Sequence, residues 1–335
     1  MDSIPNYPWL TPLYQQLVQQ HQRGVAHHAR LLIAPFGCGL EHLLYQLARW
    51  ILCQKPQSNQ PCDHCHACLL MAAQSHPDYR QCSLVADKQQ LGIESIRQLL
   101  PWIYQHAQQC GAKVIGLLAC ERLSEAAVNA LLKVVEEPPP DTYFLLVCHQ
   151  QQALPITLRS RCQSWLFKPP APAVTVAWLQ QQIPKLTLAD ATLALQLSEG
   201  APLAAQQLLV DKGLAEYPLL LEALQAALQQ QHLPLLLPQL DQPQVVDQLA
   251  WLAMLWLEAA KQQQGLLVSP IFKAQQAIIG DLVKKGLSLS QWLNGVQQIL
   301  RCRYQLLTIP GINQTLLLAE LLHRQQELWL ESGFG

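Results

Sequence analysis

The first half of the chain alternates short apolar runs with segments of helical periodicity, and this alternation strongly constrains its fold. The apolar runs are LLIA (31–34), KVIGLLAC (113–120), TYFLLVC (142–148) and SWLF (164–167). Continuous apolar strands separated by helices are typical of a parallel sheet that helices cover on both faces. The sequence therefore predicts an α/β module with a parallel sheet that ends near residue 168.

The strand pattern stops after Lys168. The segment PPAPA (169–173) is followed by a small group of helical segments that runs to about residue 210. Longer amphipathic helices then occupy the rest of the chain, with Leu and Trp at three- and four-residue spacings. We predict three domains, which span residues 1–168, 169–210 and 211–335.

Composition excludes several classes of protein. The chain has 335 residues, of which 50% are hydrophobic and 13% charged, and its formal net charge is −1. These values exclude a disordered chain and a broadly basic nucleic-acid binder, although a local basic patch remains compatible with them. Most of the 11 cysteines are scattered singly in apolar runs, as in a reduced interior. With no export signal and no apolar span of about 20 residues, we expect a cytoplasmic protein without a membrane partner.

A glycine-containing loop follows the first apolar run, where a phosphate-binding loop would lie. In APFGCGLEHL (34–43), Gly37 and Gly39 keep the turn. A working loop needs Lys to neutralise phosphate charge and Ser or Thr to hold Mg²⁺. Leu40 and Glu41 stand at those two positions, and a carboxylate there repels phosphate.

The acidic pair that positions metal and water in nucleotide hydrolases is also missing. It belongs at the end of the strand predicted in KVIGLLAC (113–120), where this chain has Leu118 and Ala119. Two losses at two separate segments indicate a nucleotide-hydrolase fold whose own site is dismantled. We therefore expect no bound ATP and no ATP hydrolysis by this chain.

Four cysteines follow the first predicted helix in C-x8-C-x2-C-x2-C spacing: Cys53, Cys62, Cys65 and Cys68. Four thiolates at such spacing match the tetrahedral coordination of Zn²⁺. The segment CQKPQSNQPCDHCHAC is polar and has no core in which four thiols would be buried. Because protein ligands fill all four positions, the site is structural rather than catalytic. The interleaved His64 and His66 remain alternative ligands.

The motifs together are specific enough to indicate a family. The sequence resembles the delta-prime family of bacterial DNA polymerase III clamp-loader subunits, a branch of the AAA+ superfamily. The resemblance covers nearly the whole chain, and its most specific part is NALLKVVEEPPPDTYFLLV (129–147) followed by TLRSRC (157–162). It implies a RecA-like AAA+ module with a zinc knuckle, then a small helical lid and an all-α C-terminal collar that oligomerises.

The resemblance also assigns a role to one arginine. Clamp loaders are pentamers in which each ATP lies between neighbours, and a Ser-Arg-Cys motif completes the adjacent site. Here that motif is Ser160, Arg161 and Cys162. Arg161 is therefore expected to act in trans as an arginine finger, and Arg159 is its nearest rival. The family's second sensing arginine falls near Leu203, which agrees with an empty pocket.

The resemblance thus implies a non-hydrolysing subunit that supports loading of the sliding clamp onto primed DNA. Its expected partners are the gamma/tau motor subunits and the delta subunit, and through the complex the clamp and primer-template DNA. The chain would belong to a DNA polymerase holoenzyme without being an ATPase itself. Two alternatives remain open, namely an active ATPase motor and a zinc-ribbon DNA-binding protein. The exposed charges expected at Lys133, Glu136 and Glu137 receive no catalytic role.

Overall fold

The computed structural model describes residues 6–84, 90–109, 111–150, 153–211, 213–267, 270–309 and 311–331. The outermost residues of the first and third predicted domains, 1–5 and 332–335, lie outside this range. The chain divides into two compact units. The first ends at Val174 and also holds Ala201–Leu203, and the second comprises Thr175–Gly200 and the chain from Ala204 onward. The three-domain division stays a prediction.

A parallel sheet forms the centre of the first unit, and its strand order is β2-β3-β4-β1-β5. This confirms the predicted RecA-like α/β class. One edge strand, Tyr79–Cys82, has no counterpart among the predicted apolar runs, because it is short and partly exposed. The strands are β1 (Ala29–Ile33), β2 (Tyr79–Cys82), β3 (Lys113–Leu117), β4 (Thr142–Cys148) and β5 (Gln163–Leu166).

Helices connect and cover these strands. They are α1 (Thr11–Gln22), α2 (Leu40–Leu52), α3 (His66–Ala72), α4 (Ile93–Ile103), α5 (Glu125–Glu136) and α6 (Ile156–Arg159). The hydroxyl of Ser124 accepts a hydrogen bond from Ala127 N at 3.2 Å and so caps the N-terminus of α5. Helix α2 lies close to β3, since a Cβ on Gly116 would come within 2.9 Å of Leu44 Cδ2.

Alternate residues of β1 face different layers. Ala29, Leu31 and Ile33 join the apolar cluster that includes residues of α4 and α5. Arg30 points the other way, and its Nη1 donates to the Leu17 carbonyl of α1 at 3.3 Å. The sheet is therefore covered on both faces, which explains why its central strands are apolar along their whole length.

Among the described residues from Pro172 onward, the regular structure is helical. The helices are α7 (Pro172–Gln182), α8 (Leu188–Leu197), α9 (Pro202–Val210), α10 (Glu216–Gln229), α11 (Leu237–Leu240), α12 (Val245–Gln263), α13 (Gln276–Val283), α14 (Leu289–Thr308) and α15 (Gln314–Glu331). Among the described residues, no helix combines the length and the apolar character needed to cross a bilayer.

Buried indoles organise the second unit. Trp251 is 1% exposed and donates to the Leu197 carbonyl at 3.2 Å, which ties α8 to α12. Trp256 donates to the side chain of Gln325 at 3.0 Å, and Trp292 donates to that of Gln263 at 2.7 Å. Glutamine side chains thus accept hydrogen bonds from two of these indole N–H groups. A buried N–H group without an acceptor would lower the stability of the folded state.

Candidate functional site

The glycine loop joins β1 to α2, and both of its glycines have backbone angles that favour glycine. The φ angle of Gly37 is 84°, and that of Gly39 is 86°. Gly39 is also the residue before the first turn of α2. The loop therefore keeps the backbone turn of a phosphate-binding loop, as the sequence predicts.

Apolar side chains of the same unit crowd this loop. A Cβ on Gly39 would lie 3.3 Å from both Leu10 Cδ1 and Leu203 Cδ1. The Leu203 amide donates to the Gly37 carbonyl at 2.8 Å, and the Trp9 indole donates to the Cys38 carbonyl at 3.0 Å. The residue at the expected sensing-arginine position thus packs against the loop instead of offering a charge to phosphate.

The Glu41 carboxylate, predicted to repel phosphate, has an internal partner. Its Oε1 lies 3.0 Å from Nε2 of His149, the residue after β4. The other ring nitrogen, Nδ1, lies 3.2 Å from the Ala34 carbonyl. A carbonyl only accepts hydrogen bonds, so Nδ1 donates to Ala34, and a protonated imidazole can also donate from Nε2 to the Glu41 carboxylate.

The pKa values of the two groups move in the directions that this pair requires. Burial lowers the pKa of His149, but the hydrogen bond and the charge of Glu41 outweigh it and raise that pKa above 6.5. Burial likewise raises the pKa of Glu41, but the hydrogen bond and charge of His149, together with a backbone hydrogen bond and the charge of His42, outweigh it and lower that pKa. The paired Glu41 thus stands at the sequence position where a working loop has the Ser or Thr that holds Mg²⁺.

The end of β3 carries no acidic pair, in agreement with the sequence. Ala119 adopts a left-handed conformation with φ of 52°, and a short turn over Cys120–Arg122 follows it. The nearby Glu121 accepts a hydrogen bond from the His149 amide at 3.2 Å. His149 therefore joins the segments after β3 and β4 to each other and to the start of α2.

The four predicted zinc ligands come together at the other end of α2. The sulfur atoms of Cys53, Cys62, Cys65 and Cys68 all lie within 4.8 Å of one another. The sulfur atoms are 3.5 Å apart in Cys53 and Cys62, 3.9 Å apart in Cys53 and Cys65, and 4.0 Å apart in Cys62 and Cys68. Tetrahedral Zn–S bonds of about 2.3 Å place sulfurs roughly 3.8 Å apart. The geometry fits a zinc ion, and neither His64 nor His66 belongs to the group.

Backbone amides support these sulfurs. Cys62 N donates to the Cys53 sulfur at 3.3 Å, and Cys65 N donates to the Cys62 sulfur at 3.4 Å. Burial raises the pKa of Cys65, but backbone hydrogen bonds and the hydrogen bonds with Cys62 and Cys68 together outweigh it and lower that pKa to about 6. Burial raises the pKa of Cys53 and Cys68. A bound cation would hold all four as thiolates, because coordination removes the thiol proton.

The Ser-Arg-Cys segment lies between α6 and β5. Cys162 is partly buried, and burial raises the pKa of its thiol to about 12, as for an inert packing residue. Ser160 is exposed and donates to the Thr157 carbonyl at 3.0 Å. The Arg161 side chain is 39% exposed. This turn anchors the cysteine and presents the arginine at the surface.

Two contacts of the site were not predicted from the sequence. His149 was not singled out, and Glu136, which received no role, forms an ion pair with Arg161. Both contacts join residues that are distant along the chain. A lone histidine or glutamate carries no local spacing signal, so neither contact had a pattern that could have revealed it.

Comparison with known proteins gives consistent matches along the chain. The family described as DNA polymerase III, delta subunit, matches residues 9–171. The family described as DNA polymerase III, delta subunit, C terminal, matches residues 212–327. The first match includes the glycine loop, the four clustered cysteines and Arg161.

Individual relatives match over almost their full lengths. The DNA polymerase III subunit delta' of Yersinia pestis is 43% identical over 321 residues, which are 94% of each chain. The subunit of the same name from Escherichia coli K12 is 36% identical over 328 residues, covering 98% of this chain and 97% of that one. The solved structure of a DNA polymerase III gamma subunit-related protein from Thermotoga maritima covers 96% of this chain and 99% of its own, at 17% identity and a TM-score of 0.43.

Proposed function

The chain belongs to the delta-prime family of DNA polymerase III clamp-loader subunits, and from this premise we propose that it is a non-hydrolysing subunit acting on a neighbour's ATP. One observation carries the proposal. The position of the Mg²⁺ ligand in its own loop is occupied by Glu41, which is paired with His149 at 3.0 Å. Bound triphosphate would face a carboxylate there instead of a cation.

Arg161 is the group through which the chain would act in trans. Its guanidinium is permanently charged and matches phosphate oxygens with a planar fork of donors. The Ser160 and Cys162 positions shape the turn, and the arginine stays at the surface of the first unit. A neighbouring subunit could therefore reach it. Arginine fingers in other nucleotide hydrolases contribute roughly 10³–10⁵ in rate.

The cysteine cluster supports a structural zinc ion in this proposal. Cys53, Cys62, Cys65 and Cys68 would hold it, and the ion would fix the segment between α2 and α3. Four protein ligands leave no coordination position for a substrate. Zinc would thus stabilise the module and take no part in phosphate chemistry.

The proposed partners are motor subunits of the gamma/tau type and a delta subunit, with the sliding clamp and primer-template DNA reached through the complex. We retain the predicted organisation of an AAA+ module over 1–168, a lid over 169–210 and an oligomerising collar over 211–335. In this arrangement the module contributes Arg161 and the collar holds the subunits together.

The test is the ATPase activity of a complex reconstituted from this chain and its clamp-loader partners. The isolated chain is expected to hydrolyse no ATP, whereas adding it to the partners stimulates their turnover. Arg161→Ala should remove most of that stimulation, because the transition-state charge loses its cation. Arg159→Ala is the matched control, since it removes a neighbouring arginine of the same motif. Full stimulation by Arg161→Ala, or an equal loss with Arg159→Ala, would contradict the assignment.

A further inference from the structure

Arg161 is held within its own chain by two contacts. Its Nε forms an ion pair with the carboxylate of Glu136, the last residue of α5. Its Nη1 donates to the Thr157 carbonyl at 3.0 Å. Within the described part of the chain, no partner lies within hydrogen-bond distance of Nη2. One side of the guanidinium is therefore fixed by the protein, and the end formed by Nη1 and Nη2 still has N–H groups to offer.

The two elements that carry this ion pair share one apolar core. Leu158 of α6 is fully buried, and Cys162 packs against the same cluster. Leu131 and Val135 of α5 belong to that cluster as well. Because packing fixes α5 and the Arg161 turn relative to each other, Glu136 meets the guanidinium at a predetermined place.

The exposure of the pair argues against a purely stabilising role. The Arg161 and Glu136 side chains are 39% and 44% exposed. Solvent screening leaves such a pair with little effect on folding stability. The contact does, however, restrict a long side chain that would otherwise sample many rotamers. Its consequence is an oriented guanidinium.

We propose that Glu136 is a positioning residue for Arg161. It holds the Nε side of the guanidinium so that the Nη1 and Nη2 end points outward, toward the phosphate of a neighbouring subunit. This inference rests on the proposed trans role of Arg161. It assigns a function to a glutamate whose position at the end of a helix is otherwise that of an ordinary surface charge.

The adjacent residue provides a matched control. Glu137 follows Glu136 directly and is also exposed, and no ion pair with Arg161 is found for it in the described structure. Removing either carboxylate changes the charge near Arg161 by the same amount. A difference between Glu136→Ala and Glu137→Ala therefore reports the contact itself and not the general electrostatic field.

The experiment measures ATP turnover of the reconstituted complex with each variant. Glu136→Ala should lower kcat by about tenfold with little change in KM, since a displaced catalytic group slows chemistry more than it weakens binding. Glu136→Gln keeps an acceptor oxygen for Nε and should recover part of the loss. Glu137→Ala should match the unmodified chain. Thermal unfolding of each isolated chain should be unchanged.

A double variant separates this inference from the proposed function. Glu136→Ala should cause no further loss in an Arg161→Ala background, because it acts through that arginine. Equal losses in both backgrounds would overturn the proposal. So would unchanged or increased kcat in Glu136→Ala, the latter showing that Glu136 competes with phosphate for the guanidinium. If Arg161→Ala itself has no effect, the trans role fails first and the positioning role fails with it.

Discussion

The glycine loop and the cysteine cluster lie at the two ends of one helix, and they differ in how their polar groups are satisfied. Gly39 precedes the first turn of α2, and Cys53 follows its last residue. At the first end, Glu41 lies in the positive field of the helix N-terminus and pairs with His149. At the second end, four sulfurs lie within 4.8 Å of one another. A carboxylate at one end is thus paired with a protein cation, whereas the other end has the ligand set of a metal ion.

Under the proposed function, the first end would be a binding site that was lost without loss of the fold. It keeps the glycine turn, and carboxylate, imidazole and leucine side chains lie at that turn. The second end keeps every donor of a zinc site at the expected separation. Removing a ligand should therefore affect the two ends of α2 very differently.

The largest effect is expected from loss of zinc at the cysteine end. Cys62→Ser should reduce the zinc content from about one ion per chain to near zero and should lower the free energy of unfolding by several kcal/mol. Metal analysis and thermal unfolding measure the two effects. Cys82→Ser is the control, because Cys82 is a partly buried thiol outside the group of four. Full zinc occupancy in Cys62→Ser would show that the cluster is not the site.

Arg30 lies in β1, the strand that leads into the glycine loop. Its variants test whether the buried polar groups of this strand also find partners within the protein. Its side chain is 1% exposed, its Nε and Nη2 have no hydrogen-bond partner within the described chain, and Nη1 makes one contact at 3.3 Å. Burial lowers its pKa to about 10. Arg30→Met should therefore raise the free energy of unfolding by about 1–4 kcal/mol, because a buried charge without full partners is replaced by an apolar side chain.

Chemical denaturation of the Arg30 variants measures this gain. Arg30→Lys keeps a buried cation and should not be more stable than the unmodified chain. A loss of stability in Arg30→Met would mean that the guanidinium has a partner, such as a buried water or an anion, that repays its burial.

The features that the sequence predicts correctly depend on residues that lie close together along the chain. The cysteines lie close together in the chain, so their convergence follows from short turns and a helix start. Strand β4 coincides with its predicted apolar run over residues 142–148. The hydrogen bond between His149 and Ala34 joins residues 115 positions apart. Such a contact depends on the order of strands in the sheet, which residue spacing does not encode.

One strand, β2, was not predicted from the sequence, again because its formation depends on residues that are distant along the chain. Strand β2 consists of YRQC and is partly exposed, because it is an edge strand that pairs only with β3. Its pairing is set by the neighbouring strand and not by its own apolar content. Elements with a strong pattern of their own were predicted, and elements defined by their neighbours were missed.

The smallest expected effect concerns the ion pair at the glycine end, and it should appear as a pH dependence. The folded-state pKa of His149 is raised, so its contribution is fully present below about pH 6.5 and is lost as pH rises through the folded value. The folded-state pKa of Glu41 is lowered, so its contribution is present above about pH 4.3 and is lost as pH falls through the folded value. The pair therefore stabilises the loop most between these limits.

His149→Gln should remove this contribution, which we expect to be about 1–2 kcal/mol near pH 6 and smaller near pH 8.5. Unfolding free energies at the two pH values measure the difference. His323→Gln is the matched control, because His323 is exposed and lies 3.6 Å from Glu327 on the surface of α15, where solvent screens the pair. An equal loss at both pH values would show that His149 contributes through neutral packing. Neutral side-chain packing alone, without an ion pair, would then fill the start of α2.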